Sequence, residues 1–174
     1  EYPPEARGIF FAALRRALEE IPGTGAVGGV TMIPFGGNLA WGPVTVPGYE
    51  PAVGSNGEFI ASIRRVTPEY FESLGIPIVN GRTFEESYPD GAPFQVIVDE
   101  QLAERYYGER DPIGQLITPL GRDSAVVAGV VGSIQHTGLG DFSRPTLYLP
   151  VAQFPSAALA MVVETAGDPM EFVS

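Results

Sequence analysis

Val66-Thr67-Pro68-Glu69-Tyr70-Phe71-Glu72-Ser73-Leu74-Gly75-Ile76-Pro77-Ile78-Val79-Asn80-Gly81-Arg82-Thr83-Phe84 is a short helix punctuated at both ends and followed by a strand. The Thr67 hydroxyl is placed to cap the helix. Pro68 suits the first helical position, where its missing N–H costs nothing, and Glu69 complements the positive end of the helix dipole. Tyr70, Phe71 and Leu74 fall on one face at three-to-four spacing. Gly75 can take the left-handed conformation that stops a helix. Ile76 and Ile78 then alternate as a strand does, and Gly81-Arg82 turns out of it. Nothing in the stretch is a catalytic motif; it is a packing device.

Outward from this stretch the chain alternates between helical and extended patterns. On its N-terminal side, Pro4 to Ile21 is expected to be an amphipathic helix. Its apolar stripe is Ile9/Phe10, Ala13/Leu14, Ala17/Leu18 and Ile21, with Glu5, Arg15, Arg16, Glu19 and Glu20 off the stripe. Pro22-Gly23 ends it. Ala26 to Met32 reads as a strand. The Gly-, Pro- and Asn-rich segment from Pro34 to Gly57 reads as a surface excursion with one short strand near Pro43 to Val46; its Trp41 and Tyr49 either staple it to the body or present an exposed aromatic contact for a partner. Glu58 to Val66 is a strand in which at most one of the adjacent Arg64 and Arg65 faces the core. On the C-terminal side, Gln95 to Val98 is a strand. Asp99 caps a helix to about Tyr107, stopped by Gly108. Asp111-Pro112-Ile113-Gly114 is a turn, and Gln115 to Thr118 with Ser124 to Ile134 form a hairpin. Thr146 to Leu149 and Leu159 to Thr165 are strands. Asp168-Pro169 resembles the start of a further helix. Without a regular βαβ rhythm, the fold class is mixed α+β.

Composition narrows the function. The 174 residues make one domain or two small subdomains, and 44% hydrophobic content is enough for a core. A formal net charge of −11 argues against nucleic acid as a partner and against electrostatic binding to an anionic lipid surface. The absence of cysteine excludes disulfides, thiolate zinc sites and cysteine nucleophiles. No apolar run reaches the ~18 residues of a membrane span. The opening Glu1-Tyr2-Pro3-Pro4, with no basic or apolar leader, reads as an excerpt from a longer protein.

Catalytic signatures are missing. The single histidine, His136, has Ser133, Asp141 and Ser143 near it in sequence, but no nucleophile elbow accompanies them. All ten basic residues are arginine, so no P-loop lysine exists. The pairs Glu19-Glu20, Glu85-Glu86 and Asp99-Glu100 lack calcium-loop spacing. The expectation is therefore a non-enzyme with no catalytic, cofactor-binding or metal residues and no cofactor.

The stretch Thr67 to Phe84 resembles the signature of the MacB-like periplasmic core domain found in FtsX-like permease subunits of ABC transporters. The resemblance continues through Val96-Ile97-Val98-Asp99-Glu100-Gln101-Leu102-Ala103, Asp111-Pro112-Ile113-Gly114-Gln115 and Val126-Val127-Ala128-Gly129-Val130-Val131-Gly132. It extends to His136-Thr137-Gly138-Leu139, Arg144-Pro145-Thr146-Leu147-Tyr148-Leu149-Pro150 and Val162 to Pro169. It implies a discontinuous porter-like subdomain (residues 1–82 and 156–174) with a second α+β subdomain inserted (residues 83–155). The insert would have its own small core around Val96, Val98, Leu102, Val127 and Val130. The implied protein sits in the bacterial inner (cell) membrane with this domain on the periplasmic or extracellular side, coupling motion of the transmembrane helices to export or extraction of a substrate. The implied partners are its own transmembrane helices, a second permease copy or half, a cytoplasmic ATPase subunit, and a periplasmic adaptor or lipoprotein. Two other readings have distinct requirements. An extracytoplasmic ligand-binding or sensory domain needs a closed apolar pocket, and a hydrolase using His136 needs a serine or acid within hydrogen-bond reach.

Overall fold

A computed structural model describes residues 4–34, 36, 40–49, 58–120, 123–134 and 144–169. The elements in order are α1 (Pro4–Glu19), β1 (Thr24–Val30), β2 (Trp41–Thr45), β3 (Glu58–Val66), α2 (Tyr70–Ser73), β4 (Ile78–Gly81), β5 (Gln95–Asp99), α3 (Glu100–Tyr107), β6 (Leu116–Pro119), β7 (Ala125–Val131), β8 (Thr146–Pro150) and β9 (Ala160–Thr165). The class is α+β with a mixed sheet and short helices.

The strand pairings close a ring. β2 pairs with β6, β6 with β7, β7 with β5, β5 with β8, β8 with β3, and β3 returns to β2. The β5–β7 and β3–β8 pairs are parallel and the other four antiparallel. Strands alternate their side chains between inside and outside. Val96 and Val98 of β5, and Leu147 and Leu149 of β8, point into the barrel with Val44, Ala61, Ile63, Ile117 and Val127. α3 adds Leu102, Tyr106 and Tyr107 to this inner core. The five residues expected to form the insert's core do lie together. As a correction, that core is not the insert's own, because β2 and β3 supply Val44, Phe59, Ala61 and Ile63 to it.

A second core lies outside the barrel. Ile97 and Tyr148, the outward neighbours of those inward residues, meet Val66, Val131, Val30 of β1, and Tyr70 and Phe71 of α2. The Phe71 and Tyr148 rings meet edge to face at 5.0 Å. β1 continues the sheet past β3, and β9 pairs antiparallel with β1 from Thr24↔Thr165 to Val30↔Ala160. The two strands, far apart in sequence and both within the ranges 1–82 and 156–174, are thus neighbours. β1 can carry α2 so closely because Gly28 has no side chain: a Cβ there would collide with the Tyr70 backbone.

The α2 region departs from expectation in two ways. The helix is one turn, Tyr70–Ser73, preceded by Glu69 without a side-chain cap. Thr67 does not cap it, because its Oγ1 accepts a hydrogen bond from the Gly29 N–H of β1 at 2.9 Å. Leu74 is exposed, while Tyr70 and Phe71 are buried. Gly75 does adopt a positive φ of 63°. At α3 the expected cap is present, with Asp99 Oδ1 accepting from the Leu102 N–H at 2.8 Å.

Candidate functional site

α1 is the element whose attachment differs most from the sequence pattern. It packs on β1, yet Phe10 is 47% and Ile21 42% exposed, and Ile9 is 74% exposed. Among the described side chains of α1, the half-buried positions are Phe11, Leu14, Arg15 and Leu18. The stripe is therefore rotated from 10–14–18–21 to 11–14–15–18, and Arg15 sits within it. The physical reason is a set of three carboxylates, two of them supplied by the rest of the fold. Arg15 Nη1 lies 2.9 Å from Glu19 Oε1 and 3.4 Å from Glu69 Oε1, and Nη2 lies 3.1 Å from Glu86 Oε1. Glu19 belongs to α1 itself. Glu69 precedes α2, and Glu86 lies in the loop after β4. The partners at 69 and 86 are too distant in sequence for helical periodicity to reveal; an acidic run after a packing motif is the only signal.

A second group of polar side chains is buried on the outer face of the barrel. Arg64 is buried while Arg65 is half-buried, so one of the pair turns inward as expected. Arg64 Nη1 donates to the Met32 carbonyl, and burial lowers its pKa, opposed by Tyr70 and Tyr148. Burial pushes the Tyr70 phenol up to about 12. Asp99 is fully buried. Burial raises its carboxyl to about 6, against the lowering effect of hydrogen bonds from Leu102, Thr146 and Ser133. These groups sit within packed layers of the sheet, where they can fix register but not meet a substrate.

Other residues singled out by the sequence fall in different places. Tyr49 is stapled, its ring meeting Tyr106 edge to face at 4.9 Å. Trp41 is not: it is 58% exposed, with the Arg144 guanidinium 5.7 Å from its ring centre. His136, with Asp141 and Ser143, lies outside the described residues, as does the helix expected beyond Asp168-Pro169. Among the described residues no group of three or more His, Cys, Asp or Glu is placed to hold a metal ion, and no helix is long and apolar enough to cross a membrane. An open depression of about 520 Å³ is lined by loop residues including Tyr88, Phe94, Asp123 and Gln153. Gln153 already bonds the Gln95 N–H and the Pro93 carbonyl, so its polar ends are engaged by the protein.

Comparison with known proteins agrees with this architecture. The MacB-like periplasmic core domain profile matches residues 12–171. No curated protein matches the chain. Among solved structures, the chain is similar to the periplasmic region of MacB from Actinobacillus actinomycetemcomitans, with a TM-score of 0.62 and 18% identity over 93% of this chain and 67% of that one. It is also similar to the extracellular domain of the noncanonic ABC-type transporter YknZ from Gram-positive bacteria, with a TM-score of 0.59 and 15% identity over 91% of this chain and 74% of that one. A domain of a permease protein from Porphyromonas gingivalis gives 0.57 and 14% over 92% and 70%. At such identities these likenesses concern the fold, and the profile match carries the membership: the chain belongs to the MacB-like periplasmic core domain family of ABC transporter permeases.

Proposed function

We propose that this domain transmits motion of the permease's transmembrane helices to a substrate outside the membrane, driven by a cytoplasmic ATPase and without chemistry of its own. The observation that carries this reading is the layering at β1. α1 and β9 both dock on β1, and β1 joins the barrel through the Val30↔Val66 pair with β3 and through α2. A force applied to α1 therefore enters a thin outer layer before it reaches the closed barrel. The organisation into residues 1–82 with 156–174, and 83–155, belongs to the same proposal. The β2–β6 and β3–β8 pairings tie the two parts together, so the moving element is α1 and its layer, not one part sliding on the other. The implied setting is the inner membrane, with the domain on its outer side. The implied partners are a second permease copy or half, the ATPase, and an adaptor or lipoprotein.

The test is a distance. Spin labels at Ala12→Cys on α1 and Glu109→Cys beyond α3, both exposed positions, are placed in the complete permease with its ATPase. The distance distribution should differ between the nucleotide-free and the ATP-trapped states. One distribution common to both states would end the coupling role.

A further inference from the structure

We infer that Arg15 is an electrostatic latch: α1 is held to the body of the domain chiefly by one guanidinium bridging to Glu69 and Glu86, and it can be released from the sheet without unfolding the barrel. The latch deepens the coupling reading and rests on it for its purpose, since it is the contact through which α1 would load the domain.

Three observations converge. The apolar attachment of α1 is thin: Ile9, Phe10 and Ile21 are exposed, and among the described side chains of the helix, which packs on β1, the half-buried apolar ones are Phe11, Leu14 and Leu18. The Arg15 side chain is only 20% exposed and sits in the middle of that contact, where the helix pattern calls for a hydrophobe. Its partners outside α1 bracket the α2–β4 segment, Glu69 at one end and Glu86 at the other. Glu69 leads directly into Tyr70 and Phe71, whose rings pack on Tyr148 of β8 at 6.2 and 5.0 Å. The chain of contact is α1, Arg15, Glu69, α2, barrel.

The charges explain why such a joint is reversible. Three carboxylates share one cation, so removing Arg15 leaves like charges facing one another. Glu69 Oε2 is buried and, among the described residues, has no hydrogen-bond partner. Docked α1 is therefore the condition under which Glu69 is compensated. The pairs remain partly open to solvent, with Glu86 73% exposed, so salt screens them. An apolar stripe of full width would resist salt; this contact yields to it.

The experiment is amide hydrogen exchange on this chain, without membrane or nucleotide. Exchange across α1 should accelerate by about three- to tenfold between 0.05 and 1 M NaCl, the range expected of a few partly exposed ion pairs. α3, which is capped and packed into the barrel core, serves as the reference and should change little. At low salt Arg15→Gln should reproduce the acceleration and Glu86→Gln part of it. Glu19→Gln should not, because Glu19 is on α1 itself and cannot tie it to anything else. The latch is overturned if α1 exchange ignores salt, if Glu19→Gln acts as strongly as Glu86→Gln, or if Arg15→Gln speeds β5 and β8 as much as α1. Should Arg15→Gln fail to fold, the salt series and Glu86→Gln decide alone. Because no transport is measured, a failed latch leaves the spin-label result standing, and an unchanged spin-label distance leaves the latch standing.

Discussion

Asp99 serves two structural purposes at one position. It closes β5 and caps α3 from a fully buried site, which holds its carboxyl at about 6 instead of the ordinary 3.8. The raised folded-state value means the folded protein binds the proton more tightly than the unfolded chain. This contribution is complete below the unfolded value of about 4 and is lost as pH rises through about 6. Two units correspond to roughly 3 kcal/mol at most. Asp99→Asn keeps an oxygen for the Leu102 N–H and removes the titration. The difference in unfolding free energy between the Asp99→Asn variant and the unmodified protein should therefore shift in favour of the variant between pH 4 and pH 7; parallel stability curves would contradict it. Thr67 behaves differently at the same scale. Its position before Pro-Glu reads as a cap because the sequence shows only local donors, whereas the Gly29 N–H it actually serves is on another strand. Thr67→Ala should lower stability by about 1–3 kcal/mol by leaving that donor unpaired, and Thr67→Ser should recover most of it in a denaturant titration. The cap at Asp99 was legible in sequence because cap and donor are three residues apart; the bond at Thr67 was not, because its partner lies 38 residues away.

Among the elements, α2 and α1 are held to the same strand by opposite means. α2 is held by apolar packing and close backbone approach at Gly28, so Gly28→Ala must push Tyr70 away from β1 or bend the strand. A loss of about 1–3 kcal/mol is expected, with exchange quickening in α2 and β1 first; full stability in the alanine variant would show that the crossing has slack. α1 is held by a narrow stripe and Arg15. Leu14→Asp, placed in that stripe, should free α1 while leaving the barrel folded, because none of the described α1 side chains belongs to either core cluster. Circular dichroism should show a loss of helix with a single remaining thermal transition close to the original, and collapse of the whole fold would refute it. Periodicity located α1 and its length to within two residues, but it could not orient the helix. Counting only apolar residues, 10–14–18–21 and 11–14–18 compete, and the carboxylates at 69 and 86 that draw Arg15 into the second face are on other elements.

At the scale of the molecule, the closed ring of six strands is the feature the sequence concealed most. Its seam depends on β2, a five-residue strand in a Gly- and Pro-rich segment, which pairs with β3 on one side and with β6 through Val44↔Pro119 and Thr45↔Thr118 on the other. No local pattern specifies such a partner. By contrast, the β1–β9 neighbourhood followed from the family resemblance, since joining both chain ends in one sheet is what a discontinuous subdomain requires. The ring also dictates how the domain fails. β3, β5, β7 and β8 each present residues to both cores, so neither core can melt alone. Leu147→Ala in the barrel and Ile97→Ala in the outer layer should each cost about 2–5 kcal/mol and should move one and the same denaturant transition, with an unchanged slope. Residues 83–155 expressed alone would carry β5 to β8 but lose β3 beside β8 and β2 beside β6, opening the ring on both sides and exposing Leu147, Leu149 and Ile117. That fragment should lack cooperative unfolding and near-ultraviolet signal. A sharp thermal transition in it would show that the insert is a folding unit in its own right, and force applied at β1 would then have to be relayed between two bodies instead of entering one.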